Sequence, residues 1–280
     1  MYKTIDEILQ AVAAGDLTPE EADREIERIK AEAQQAQTEQ AKRSQQPNGK
    51  VAGILGGSID SDINGNVEGI VGGNVSSSVH ITGDIRGILG GSIQRGAIID
   101  GNVRGLLGGS IAEDVHIGGD VSGPIGGRIA EGVTIGGDVS GPVGGKIEQG
   151  VTISGNLNGP VGGPMCGHVL GDVNGPIGGD LEGTVEGSVY GPIGGSLTGT
   201  VKGNVGSDKM RNRKLIKGSI TGTVGGSVLC KVMGSVHGRV EGDVYAIYGD
   251  IGPDAYIGGR VDRLYGKNLG TVIGGIVRIG

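Results

Sequence analysis

From Val173 to Val205 the chain places an aliphatic residue at every fourth position: Val173, Ile177, Leu181, Val185, Val189, Ile193, Leu197, Val201 and Val205. A glycine stands midway between each pair. Odd positions are therefore apolar or glycine, and even positions are mostly polar or proline. Period two means extended chain with one face inward. A unit of glycine, then Ile, Leu or Pro, then an aliphatic residue, then Gly-Gly begins at Gly53, Gly69, Gly87, Gly105, Gly123, Gly141, Gly159, Gly175 and Gly191. Its steps are 16 or 18 residues. A fixed repeat of short strands is the signature of a solenoid. The pattern predicts an all-β, single-chain parallel β-solenoid (a β-helix) with 16–18-residue coils over residues 51–244. A basic excursion interrupts it at 206–217, where Lys209, Arg211, Arg213, Lys214 and Lys217 gather. Residues 245–280 carry four of the six tyrosines and a looser period, and are expected to form irregular terminal coils that cap the rod or make its tip.

Parity also says what faces out. In each repeated unit the third residue is inward, so the second must be outward. That residue is Ile54, Ile70, Ile88 and Leu106 in the first four units, and Pro124, Pro142, Pro160, Pro176 and Pro192 in the next five. Coil spacing near 4.8 Å would stack the first four into an exterior apolar ridge. A contiguous stripe of that kind marks a contact surface, and Ile54, Ile70, Ile88 and Leu106 are the expected assembly interface, with a second copy of the chain as the favoured partner and the chain's own N-terminal hairpin as the alternative cover. Asn66, Asp84, Asn102, Asp120, Asp138, Asn156 and Asp172 form another recurring column. Their tolerance of turn and left-handed conformations predicts a corner there.

Residues 1–50 have a different pattern. Thr4 can cap a helix through Ala14, with Ile5, Ile8, Leu9 and Val12 on one face. Thr18-Pro19-Glu20-Glu21 gives a capping box with proline at the first helical position of a second helix, which runs to Ala33. A helical hairpin is expected over 1–33, and a Gln-rich linker over 34–50.

Composition narrows the function classes. Glycine supplies 63 of 280 residues, and Phe and Trp are absent, so the core must be thin and aliphatic. The formal charge of −7 argues against a dominant nucleic-acid or anionic-membrane footprint, and no apolar run reaches membrane-spanning length. Two cysteines, Cys166 and Cys230, make no disulfide framework, which with the absence of a secretory leader suggests a cytoplasmic origin, a virion being the alternative. His80 and His116 lie two 18-residue coils apart, with Ile98 between them in one outward column that Thr134 and Thr152 continue. A gap of about 10 Å prevents joint metal ligation. His168 and His237 read as isolated. The Asp/Asn column offers too few oxygens per coil for calcium. The basic excursion reads as a solvated bulge without nearby aromatics. No catalytic, cofactor-binding or metal-ligating residues are nominated, and no enzyme activity is expected.

Three resemblances bear on function. "ILQAVAAGDLTPEEADREIERI" resembles SHOCT-like helical hairpins, which implies oligomerisation or attachment to a protein partner. "GDVSGPVGGKIEQGVTISGNLNG" and "GTVEGSVYG" look like bactofilins, cytoskeletal proteins whose β-helix polymerises end to end. The chain departs from them in its number of coils, its regular Gly-Pro-aliphatic-Gly-Gly units and its lack of a phenylalanine-bearing tail. Residues 171–205 and 218–244 are similar to tetrad-repeat proteins of actinobacterial phages, which implies a virion fibre or a partner- or ligand-binding role. The hexapeptide acyltransferases, also β-solenoids, place an aliphatic residue every sixth position and do not match the four-residue stretches. The function expected is a structural, self-associating rod or scaffold.

Overall fold

The computed structural model describes residues 51–211 and 213–280; the expected hairpin and linker lie outside the described residues. Residues 51–280 form a parallel β-solenoid of about 13 turns. Four inward ladders run along it. Ladder one begins Val51, Val67, Ile85, Val103, and ladder two Leu55, Val71, Leu89, Leu107. Ladder three begins Ile59, Val75, Ile93, Ile111, and ladder four Ile63, Ile81, Ile99, Ile117. In a 16-residue turn each ladder residue follows the last by four, so every side of the coil is one tetrad long. Every pairing between turns is parallel.

The interior is a single file of aliphatic side chains, with Val185, Val189, Ile193 and Leu197 fully buried. There are no buried polar or charged residues among those described. The two extra residues of the 18-residue turns always enter between ladders three and four. There they add a fifth inward residue, Val79, Ala97, Val115, Val133 or Val151, at 0–3% exposure. Each insertion turns through one left-handed residue: Ser78, Gly96, Asp114, Gly132 or Gly150. The 206–217 excursion enters elsewhere, between ladders one and two. Beyond Tyr245 all four ladders continue, through Val261↔Ile276, Leu264↔Ile279, Ile251↔Asn268 and Ile257↔Val272.

The Asp/Asn column does stand at a corner, but the reason differs from the expected one. Among the described non-glycine residues only Ser78 and Asp114 have positive φ. The column instead forms a ladder of side-chain oxygens. Asn66 Oδ1 accepts from the Asp84 N–H at 2.8 Å, Asp84 from Asn102 at 2.7 Å, Asn102 from Asp120 at 2.8 Å, and Asp120 from Asp138 at 2.9 Å. The series runs on through Asp172, Ser188, Asn204 and Ser227 to Asp243. A second series runs just before ladder three: Ser58, Asn74, Ser92 and Ser110, then Asp180, Ser196, Ser219, Ser235 and Asp250. Each side chain thus satisfies a backbone donor that the parallel ladder leaves over. The oxygen occupies the space beside the glycine of the next turn. A Cβ at Gly137 would overlap Asp120 Oδ1, and one at Gly83 would overlap Asn66 Oδ1. The Gly-(Asp, Asn or Ser)-aliphatic triplet is therefore one unit: an acceptor, a vacated space for the acceptor below, and a core residue.

Two outcomes follow. Val185→Asp would bury an unpaired carboxylate and lower stability by several kcal/mol, while Thr184→Asp, partly exposed on the opposite face of the same strand, should stay within about 0.5 kcal/mol; thermal unfolding by circular dichroism distinguishes them. Asp120→Ala should cost about 1 kcal/mol through the orphaned Asp138 N–H, whereas Asp120→Asn should melt near the parent, because an amide oxygen fills the same role at Asn102.

Candidate functional site: the wall between ladders one and two

The wall between ladders one and two changes character along the length of the coil. In its first turns it is a regular sheet of strands Val51–Leu55, Val67–Val71, Ile85–Leu89 and Val103–Arg104. The register sets Ile54 opposite Ile70 and Ile70 opposite Ile88. Ile54 is 80% exposed, and Ile70, Ile88 and Leu106 are 42–44% exposed. The glycine before each has φ between +116° and +132°, which keeps the strand running past the position and holds the aliphatic side chain out. A row of Ala52, Glu68, Arg86 and Arg104 runs beside the ridge. Arg86 sits between Asp84 and Glu68. Asp84 accepts from the Asn102 backbone and side chain and from Arg86, and these bonds, the Asn102 N–H foremost, pull its carboxyl down to about 2.

From Gly123 to Gly191 the glycine leaves the left-handed region and proline follows it. The carbonyl of each proline still accepts from the turn below, as in Ile125 N–H to Pro142 O at 2.8 Å. Proline has no N–H to contribute, and the wall becomes a row of isolated bridges in place of strands.

The third zone starts with the excursion, and here the solvated-bulge reading needs correcting. Residues 206–213 include a short 3₁₀ helix, Asp208–Met210, that contacts the strand Val228–Val232. The chain then rejoins the wall as Lys214–Ile216, which pairs with Val228–Val232; Val244–Ile247 and Val261–Leu264 follow. Leu215, Cys230 and Ala246 are buried in this region. Aromatics lie close by: the Arg211 and Arg263 guanidinium groups sit 5.8 and 5.4 Å from the Tyr245 ring centroid, and Tyr248 stacks on Tyr265 with centroids 4.4 Å apart. The Arg263–Tyr245 and Tyr248–Tyr265 contacts join neighbouring turns, 18 and 17 residues apart, whereas Arg211 and Tyr245 are 34 positions apart, a separation that the repeat does not give because the excursion lies between them.

The histidines lie on another wall. His80, Ile98 and His116 are in register, followed by Thr134 and Thr152. His168 joins this column, paired with Thr152 and Thr184, rather than standing alone; the change from 18- to 16-residue turns hides that in the sequence. His80 Nε2 is 2.9 Å from Asp100, and His168 Nε2 is 3.0 Å from Glu186, which Lys202 also meets. The hydrogen bond from Lys202, then that from His168, lowers the Glu186 pKa. Burial raises the Cys166 thiol, which points at Glu182, and pushes Cys230 up to about 12. Among the described residues no group of three or more His, Cys, Asp or Glu side chains could hold a metal ion, and no helix is long and apolar enough to cross a membrane.

A scan against protein-family models and searches of curated proteins and of solved structures each return no match.

The depressed Asp84 carboxyl predicts a pH dependence. Its folded pKa lies below the unfolded value of 3.8, so its contribution is complete above about pH 4 and is lost as pH falls through about 2. Melting temperatures between pH 5 and pH 2 should fall less steeply in Asp84→Asn than in the parent.

Proposed function

We propose that the protein is a structural, self-associating β-solenoid whose first contact with a second copy is the aliphatic ridge Ile54, Ile70, Ile88 and Leu106. The observation that supports this is the in-register stacking of four large, exposed aliphatic side chains on the most regular sheet of the wall. Elsewhere on the same wall the equivalent positions hold proline, a charged residue or, at Leu215 and Ala246, a buried side chain. An in-register aliphatic ridge can pair with the same ridge of a second copy across a two-fold axis. An antiparallel pairing centred between the Ile70 and Ile88 turns also brings Glu68 of one copy to the level of the partner's Arg86, so the flanking charges match. A scaffold of this kind agrees with the resemblance to bactofilins and with the similarity to phage tetrad-repeat proteins.

Sedimentation velocity of the full chain tests this. The parent should sediment as an oligomer or filament, and Ile70→Lys with Ile88→Lys should give a smaller species with unchanged circular dichroism. A parent that is monomeric, or a variant that keeps the parent's size, rejects the ridge as the interface.

A further inference from the structure

The cations of this chain are unevenly partnered. Arg86, Arg95, Arg128, Lys146, Lys202, Arg211, Arg239 and Arg260 each have a carboxylate partner. Among the described residues Arg104, Lys209, Arg213, Lys217, Lys231, Arg263, Lys267 and Arg278 have none, and all of these except Arg104 and Lys267 lie in the third zone of the variable wall. Lys231, Ala246 and Arg263 occupy one row in register, and the Leu264↔Ile279 pairing sets Arg278 on the next turn beside Arg263. Lys214 stands opposite Lys231 at the head of the row, and the Lys231 N–H donates to the carbonyl of the preceding Arg213 at 3.0 Å. Lys217, Met233, Tyr248 and Tyr265 fill the parallel row two residues on, each bonded to the turn below at the same position.

Like charges opposite one another on neighbouring strands are destabilising. Arg86 and Arg104 are also opposite one another, but there Asp84 and Glu68 supply the counter-charge. Arg263 and Arg278 stand about 4.8 Å apart at the backbone with no such carboxylate among the described residues. They line an open cleft with Tyr265, Ile279 and Gly280. The Tyr245 ring lies against the Arg263 guanidinium, an arrangement that orients a planar fork suited to paired phosphate oxygens.

We propose that this face binds the phosphate backbone of a single-stranded nucleic acid. The cations run along the solenoid axis as a track rather than closing around a point, which fits an extended polyanion. The adjacent row adds Tyr265, which is 44% exposed beside its stack on Tyr248 and offers a surface for a sugar or base. The formal charge of −7 describes the whole chain; the third zone has the opposite sign. The proposal does not depend on self-association.

The experiment is fluorescence anisotropy of the full-length protein with a labelled 15-nucleotide oligothymidylate between 50 and 200 mM salt. About four phosphate contacts predict a slope of log K against log salt near −3. Arg263→Glu with Arg278→Glu should weaken binding at least tenfold, while Arg104→Glu, an unpaired cation near the ridge, should leave it unchanged. If the double glutamate variant loses its circular dichroism spectrum, Arg263→Gln with Arg278→Gln is the variant to read, with the same tenfold expectation. Absence of binding at 50 mM salt, or an equal loss in Arg104→Glu, overturns the proposal. So does equal competition by polyglutamate of matched charge, which would assign the face to an acidic polypeptide. The oligomeric state, read separately by sedimentation, distinguishes failure of this proposal from failure of the self-association reading.

Discussion

The structure depends on how closely one turn lies on the next. Parallel strands stack at about 4.8 Å, and a side only four residues long leaves no slack to absorb a misplaced group. Each turn therefore has to place its side chains where the turn above has left room. The oxygen ladders show how this is met. Asp120 Oδ1 accepts the Asp138 N–H, and the same oxygen fills the volume beside Gly137. Satisfying the donor and excluding the Cβ are one event. The high glycine content thus reflects turn-to-turn contact, and only the few glycines with positive φ reflect unusual backbone conformation.

That constraint limits which residues can occupy the ladder positions. Asn, Asp and Ser recur because each carries an acceptor one or two bonds from Cβ. Two acids can follow one another, as Asp120 and Asp138 do, because each carboxylate faces a backbone donor. The second ladder breaks at Arg128, Lys146 and Pro164, none of which offers a side-chain oxygen, and Pro164 also has no N–H of its own to be satisfied. The single-file core follows from the same geometry: a tetrad side leaves space for one Val, Ile or Leu per ladder step, which explains how a 280-residue chain can have no Phe or Trp.

Much of this was legible in sequence, because parity survives whatever the turn length. Inward Val185 and outward Thr184, and the stacking of Ile54, Ile70 and Ile88, all follow from counting in twos and fours. What parity cannot carry is position around the coil once turns change length. His168 reads as isolated by spacing because the turns shorten from 18 to 16 residues just before it, although it continues the column of His80 and His116. The function of the Asp/Asn column was hidden for another reason. A turn preference and an acceptor ladder favour the same residues, and only the distances between turns separate them. The setting of the basic excursion was hidden because its aromatic neighbours arrive from turns not yet made when it is read along the chain.

Variation is concentrated where the stacking constraint is weakest. Between ladders three and four, insertions of two residues are absorbed by one left-handed residue and one further core side chain. Between ladders one and two, the residue before ladder two faces outward at most turns, Leu215 and Ala246 being buried, and its identity is free of the oxygen ladders. It is Ile or Leu, then Pro, then, past the excursion, Lys or Arg at most turns. The same wall accepts the longest insertion because the chain can leave after Val205 and rejoin at Ile216 without displacing the other three ladders. A solenoid built this way separates its tasks by position within the tetrad. Ladder residues and their glycines hold the turns together, and one outward row on one wall is left to determine what the surface meets.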